Sequence, residues 1–129
     1  KEVLGVFNPG EHGSTFGGSP LAAAVARAAI AVLKEENLVE RSAQLGAYFK
    51  QKLEEIRSPH VKEIRGRGLF LGVELKKESG KARPFCERLM KAGLLCKETH
   101  DYVIRFAPPL IITKEEIDWA LERIRPVLS

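Results

Sequence analysis

The spacing of apolar residues changes twice along this chain, and that change limits the folds open to it. Leu38, Ser42, Leu45, Phe49, Leu53 and Ile56 recur every three or four positions, with Glu40, Arg41, Lys50, Gln51 and Glu54 between them. That is the pattern of a long amphipathic helix. Ser58-Pro59 ends it, because proline disfavours helical backbone in the residue before it. The period then drops to two. Val61–Arg65 reads as a strand, Gly66-Arg67-Gly68 as a kink or bulge, and Leu69–Leu75 as a second strand, with Leu69, Leu71, Val73 and Leu75 on one face and Phe70, Gly72 and Glu74 on the other. Helical spacing returns from Ala82 or Arg83 to Ala92, with Phe85, Cys86, Leu89 and Met90 inward and Gly93 as the stop. Leu94–Lys97 and Tyr102–Ala107 read as two more short strands, and Pro108-Pro109 ends the last, since neither proline can donate to a ladder. Thr113 followed by Glu116 forms a capping-box signature for a final helix burying Ile117, Ala120, Leu121, Ile124 and Leu128. Elements in this order predict an α+β fold, a small and mostly antiparallel sheet with helices packed on it. A ferredoxin-like binding module would show a comparable order, so the elements alone leave function open.

The amino-terminal third is of different character. Residues 1–7 are apolar enough to pack but are patterned as neither helix nor strand, and Pro20 to about Glu36 is an alanine-rich helical stretch whose small side chains imply close packing against a neighbour. Between them runs Asn-Pro-Gly-Glu-His-Gly-Ser-Thr-Phe-Gly-Gly-Ser-Pro, residues 8–20. Its glycines permit positive φ or close approach, Ser14 and Thr15 offer hydroxyls, and Ser19-Pro20 opens a helix whose free amides lie nearby. These residues suit a phosphate. By spacing alone they suit a helix-entry turn with no ligand better, since the loop lacks the lysine of a P-loop and the spacing of a dinucleotide fingerprint. His12 lies in the same loop and could touch a ligand, an interface or only solvent.

Arg105 stands out in the last strand, flanked by Val103, Ile104, Phe106 and Ala107, where a charge has few low-energy positions. Its guanidinium could grip a carboxylate through two parallel hydrogen bonds, or reach from a strand edge to water or a structural glutamate. His60 beside Pro59 reads as a surface residue, and His100 receives no role. With 129 residues and a net charge of +4, the chain is of ordinary single-domain size and only mildly basic. Its cations alternate with glutamates along the helices, which argues against a nucleic-acid partner. Arg27 interrupts the longest apolar run, which argues against a membrane span. Cys86 and Cys96 lie on apolar faces and read as buried free thiols, suited to a reducing compartment, with no metal-ligand spacing around them.

Three stretches carry a resemblance. Gly10–Pro20 is similar to the cofactor-phosphate loop of class III pyridoxal-phosphate aminotransferases, while Ala92–His100 and Val103–Leu110 resemble the C-terminal domain in the ornithine branch of that family. The likeness runs over essentially the whole chain in order and spacing. It implies that residues 1–36 are the tail of a large domain and 37–129 the C-terminal small domain of a fold-type I pyridoxal 5'-phosphate transferase. It also implies a parent that moves the side-chain amino group of ornithine to 2-oxoglutarate, acting as a cytoplasmic homodimer on amino-acid and 2-oxo-acid substrates. The lysine that carries the cofactor in similar enzymes lies upstream of the glycine loop, so the chain is expected to be a fragment, inactive by itself. By the same resemblance Ser14 and Thr15 contact the cofactor phosphate, in the neighbouring subunit of the dimer, and Arg105 holds a substrate carboxylate. Acetylornithine and 4-aminobutyrate aminotransferases are the nearest alternatives, and a non-catalytic binding or dimerisation module is the alternative of a different class.

Overall fold

A computed structural model describes residues 4–129; Lys1 to Val3 of the N-terminal stretch lie outside the described residues. The chain divides into two compact units, Lys1–Glu36 and Asn37–Ser129. In the first, Leu4–Val6 makes a single 3-10 turn and Pro20–Glu35 forms helix α1. Ser19 caps α1, its Oγ accepting from the Ala22 N–H at 3.1 Å, and Pro20 follows where its missing N–H costs nothing. The close packing implied by the alanines is not found within this unit: α1 buries no residue, and Leu21 is 76% exposed.

The second unit contains α2 (Leu38–Glu54), β1 (Val61–Arg67), β2 (Phe70–Leu75), α3 (Ala82–Lys91), β3 (Lys97–Thr99), β4 (Val103–Phe106) and α4 (Lys114–Leu128). The strands form one sheet in the order β1-β2-β4-β3, each neighbouring pair antiparallel. The fold is therefore α+β, with helices on an antiparallel sheet. Leu71, Val73, Leu75, Ile104 and Phe106 project into a core shared with Phe49, Leu53, Phe85, Leu89, Ile117, Leu121 and Ile124 of the helices. Full burial of side chains of this size stabilises the fold by roughly 1.5–3 kcal/mol each. Across from α2, α4 is anchored by Tyr48, whose hydroxyl donates to Asp118, and Lys114 reaches the same carboxylate at 2.7 Å. The capping box of α4 is complete: Thr113 Oγ1 accepts from the Glu116 N–H at 3.2 Å, and Glu116 Oε2 accepts from the Thr113 N–H at 2.8 Å.

Five details differ from the sequence reading. Gly66 and Arg67 stay in the ladder, opposite Leu71 and Phe70, and the register irregularity lies instead between Val61 and Glu63. Gly68 and Leu69 make the two-residue turn, with positive φ at Gly68 alone, as a type II′ hairpin requires. β3 begins at Lys97 rather than Leu94, because residues 93 and 94 are still closing α3: the Gly93 N–H donates to Met90 and the Leu94 N–H to Leu89, a Schellman motif. Met90 is 54% exposed, and His60 is half-buried, edge-on to Phe85 with ring centroids 5.4 Å apart.

Candidate functional site

Because α2, α3 and α4 cover one face of the sheet, the residues alternating with the core point to the other. Phe70, Gly72, Val103 and Arg105 all lie there, around a cleft of about 360 Å³ that is also lined by Arg65, Thr99 and His100. Val103 is buried, yet it stands apart from the helix-packed core and forms part of the cleft wall. Gly72 sits directly opposite Arg105. A Cβ there would come within 3.3 Å of Val103 Cγ1, so the valine packs closely over the glycine. Arg105 is exposed, its guanidinium carbon lies 5.9 Å from the Phe70 ring centroid, and no carboxylate among the described residues comes within salt-bridge distance of it.

The acidic groups around the cleft are engaged elsewhere. Glu74 meets Lys62 at 2.6 Å and also pairs with Arg65, and those hydrogen bonds hold its carboxyl below the usual range. Glu98 accepts from Arg83 at 2.9 Å, and Asp101 lies 3.4 Å from Lys81. The hairpin between β3 and β4 is held on both sides: the Ala82 N–H donates to Asp101 O and the Leu75 N–H to Tyr102 O, both at 2.8 Å. His100 and Asp101 take positive φ there, which sets His100 on the cleft rim. An open guanidinium with no ion-pair partner among the described residues is equipped to bind a carboxylate.

Ser14 and Thr15 belong to the first unit and Arg105 to the second. The glycine loop is exposed from Gly5 to Gly18. Ser14 Oγ accepts from the Gly17 N–H at 2.9 Å, which leaves the hydroxyl proton available to a ligand. The N–H of Thr15 has no acceptor among the described residues, and a Cβ at Gly10, Gly13 or Gly18 would meet nothing within 4 Å. Hydroxyl and amide donors on an open turn fit a phosphate. His12 stacks on Phe7 at 5.4 Å. A larger apolar groove of about 750 Å³, bordered by Leu95, Pro108, Ile112 and Trp119, has no cation along it and is not the anion site. Among the described residues no group of three or more metal-ligating side chains occurs, and no helix is long and apolar enough to cross a membrane.

Residues 1–128 match the model of the aminotransferase class-III family. The chain belongs to that family. Class-III enzymes depend on pyridoxal phosphate, and the donors of the Ser14-Thr15 turn fit such a group's phosphate. The chain is 66% identical to the ornithine aminotransferase of Bacillus subtilis, over 99% of its own length and 31% of that protein. Among solved structures, an ornithine aminotransferase from Toxoplasma gondii, with PLP partially occupying its active site, superposes with a TM-score of 0.84 at 44% identity, over 99% of this chain and 31% of that one. An acetylornithine aminotransferase from Elizabethkingia anophelis gives 0.81 at 38% identity, over 98% and 34%. The chain thus spans about a third of the length of the relatives it matches.

Register is what the sequence reading lacked at this site. It singled out Arg105 but not Gly72 or Lys97, which β2 and β3 place opposite it. A glycine alternating with Phe70 and Glu74 on the non-core face was the available signal for the first.

Proposed function

We propose that this chain is the C-terminal part of an ornithine aminotransferase, residues 1–36 completing its large domain and 37–129 forming its small domain. The parent transfers the side-chain amino group of ornithine to 2-oxoglutarate. The observation that carries the reading of the site is the exposed Arg105 guanidinium, without a carboxylate partner among the described residues, beside the cleft that Phe70, Gly72 and His100 line with it. The higher identity to an ornithine than to an acetylornithine enzyme supports the choice of substrate.

In this reading Arg105 binds and orients a carboxylate of the substrate through parallel hydrogen bonds, and Phe70 and Val103 limit water on its flank. Ser14 and Thr15 hold the cofactor phosphate by hydroxyl and amide donors. Bound pyridoxal phosphate supplies the electron sink for amino-group transfer. Two such donors orient a phosphate without retaining it alone, since hydrogen bonds to charged groups are worth about 1.5–3 kcal/mol each. The parent acts as a cytoplasmic homodimer in which this turn serves the neighbouring subunit's cofactor.

The test uses the full-length parent. Arg105→Gln should lower kcat/KM for 2-oxoglutarate roughly 10- to 150-fold, the range of a lost charged hydrogen bond. An unchanged value, or a wild-type parent that does not turn over ornithine, would overturn the proposal.

A further inference from the structure

The register across the sheet places four residues in one row: Arg65 of β1 opposite Gly72 of β2, Gly72 opposite Arg105 of β4, and Arg105 opposite Lys97 of β3. Directly opposed residues of antiparallel strands project to the same face with Cβ atoms about 4.5–5.5 Å apart. The row therefore sets three cations and a gap on the face that carries the cleft. Arg65 is compensated by Glu74 and by Glu63 at 3.3 Å. Neither Arg105 nor Lys97 forms an ion pair with a carboxylate among the described residues, and only Glu98, next to Lys97 in sequence, acts on it through its charge, although like charges directly opposite destabilise a sheet. The nearby acids make their ion pairs with other cations. Glu98 lies opposite Ile104, hence on the other face, and is bound by Arg83; Asp101 is bound by Lys81; Glu74 is shared by Lys62 and Arg65.

A sheet that opposes two cations and directs its carboxylates elsewhere is arranged for an anion from outside. Resting on the reading of Arg105 given above, we propose that Lys97 is a specificity-determining residue for the doubly charged 2-oxo-dicarboxylate. Arg105 makes the directional contact with one carboxylate. Lys97, on the edge strand and exposed, adds a positive field that attracts the dianion and does little for the donor, whose own ammonium groups offset its carboxylate.

Steady-state kinetics on the full-length parent test this. Lys97→Gln should raise KM for 2-oxoglutarate roughly two- to fivefold at low ionic strength, the scale of an exposed charge pair. The change should fall on that KM rather than on kcat or on KM for ornithine. It should shrink as salt rises from about 0.01 M to about 0.5 M, where the Debye length drops from about 30 Å to a few ångströms. Lys97→Arg should restore the original value. An unchanged KM in Lys97→Gln while Arg105→Gln raises it would overturn the role of Lys97 and leave the site reading standing. Failure of Arg105→Gln to act would overturn both, and an effect of Lys97→Gln that is indifferent to salt or not rescued by arginine would mark the residue as merely structural.

Discussion

Replacing Gly46 by alanine sets two effects of opposite sign against each other. Gly46 lies inside α2, where alanine is favoured over glycine by about 0.8–1 kcal/mol. Against this, an added Cβ would lie 2.1 Å from both the carbonyl carbon and the oxygen of Gly68. Reaching ordinary contact at 3.4 Å needs an opening of about 1.3 Å, the difference between the two distances. Neither side yields easily. Gly68 holds positive φ in the two-residue turn, and the Leu69 N–H donates to Ser42 Oγ of α2 at 3.1 Å. Moving α2 outward would loosen Phe49 and Leu53, which are 3% and 2% exposed. Overpacking of a tight contact costs about 1–3 kcal/mol, and a backbone-to-backbone clash belongs at the upper end. Less the helical gain, the net loss is about 2 kcal/mol. For a domain the size of residues 37–129 that lowers Tm by roughly 8–16 °C. Thermal unfolding followed by far-ultraviolet circular dichroism reads this directly. An equal or higher Tm would show that helix propensity outweighs the contact, and the close approach of α2 to the β1–β2 turn would have to be abandoned.

Two further outcomes are expected. Thr113→Ala removes the side-chain acceptor that caps α4 and should cost about 1 kcal/mol in urea unfolding, whereas Thr113→Ser should retain most of the stability. A Thr113→Ala midpoint equal to that of the unsubstituted chain would refute the cap. Burial pushes the Cys86 thiol up, and burial together with neighbouring Cys86 pushes Cys96 up to about 12. Both folded values exceed the unfolded value near 8.5, so this contribution is intact below about pH 8.5 and is lost as pH rises toward that of the folded thiol. Unfolding midpoints compared at about pH 8 and pH 10.5 should fall less in a Cys86→Ala/Cys96→Ala double variant than in the unsubstituted chain; equal falls would exclude the thiols as the cause.

Much of the second unit was legible locally. The apolar spacing of α2, the alternation of β2 and the Thr113–Glu116 pair each depend on near neighbours along the chain, and Leu53, Val73 and Ile117 are buried where that spacing puts them. The family was legible too, in the Gly10–Pro20 and Val103–Leu110 stretches. Reading failed where chain geometry beyond the local pattern decides. Met90 shares the helical spacing of Leu89 yet faces outward, and the start of β3 is delayed by backbone bonds that close α3.

By itself the sequence determined the order of helices and strands, though not their ends, and that the protein is a class-III aminotransferase chain, because periodicity, caps and motifs are carried by residues close together. Only the tertiary structure decided what surrounds Arg105. Gly72 and Lys97 become its neighbours through pairings among β2, β3 and β4. Strand pairing sets cross-strand register, and a slip of one residue would turn every one of these side chains to the opposite face.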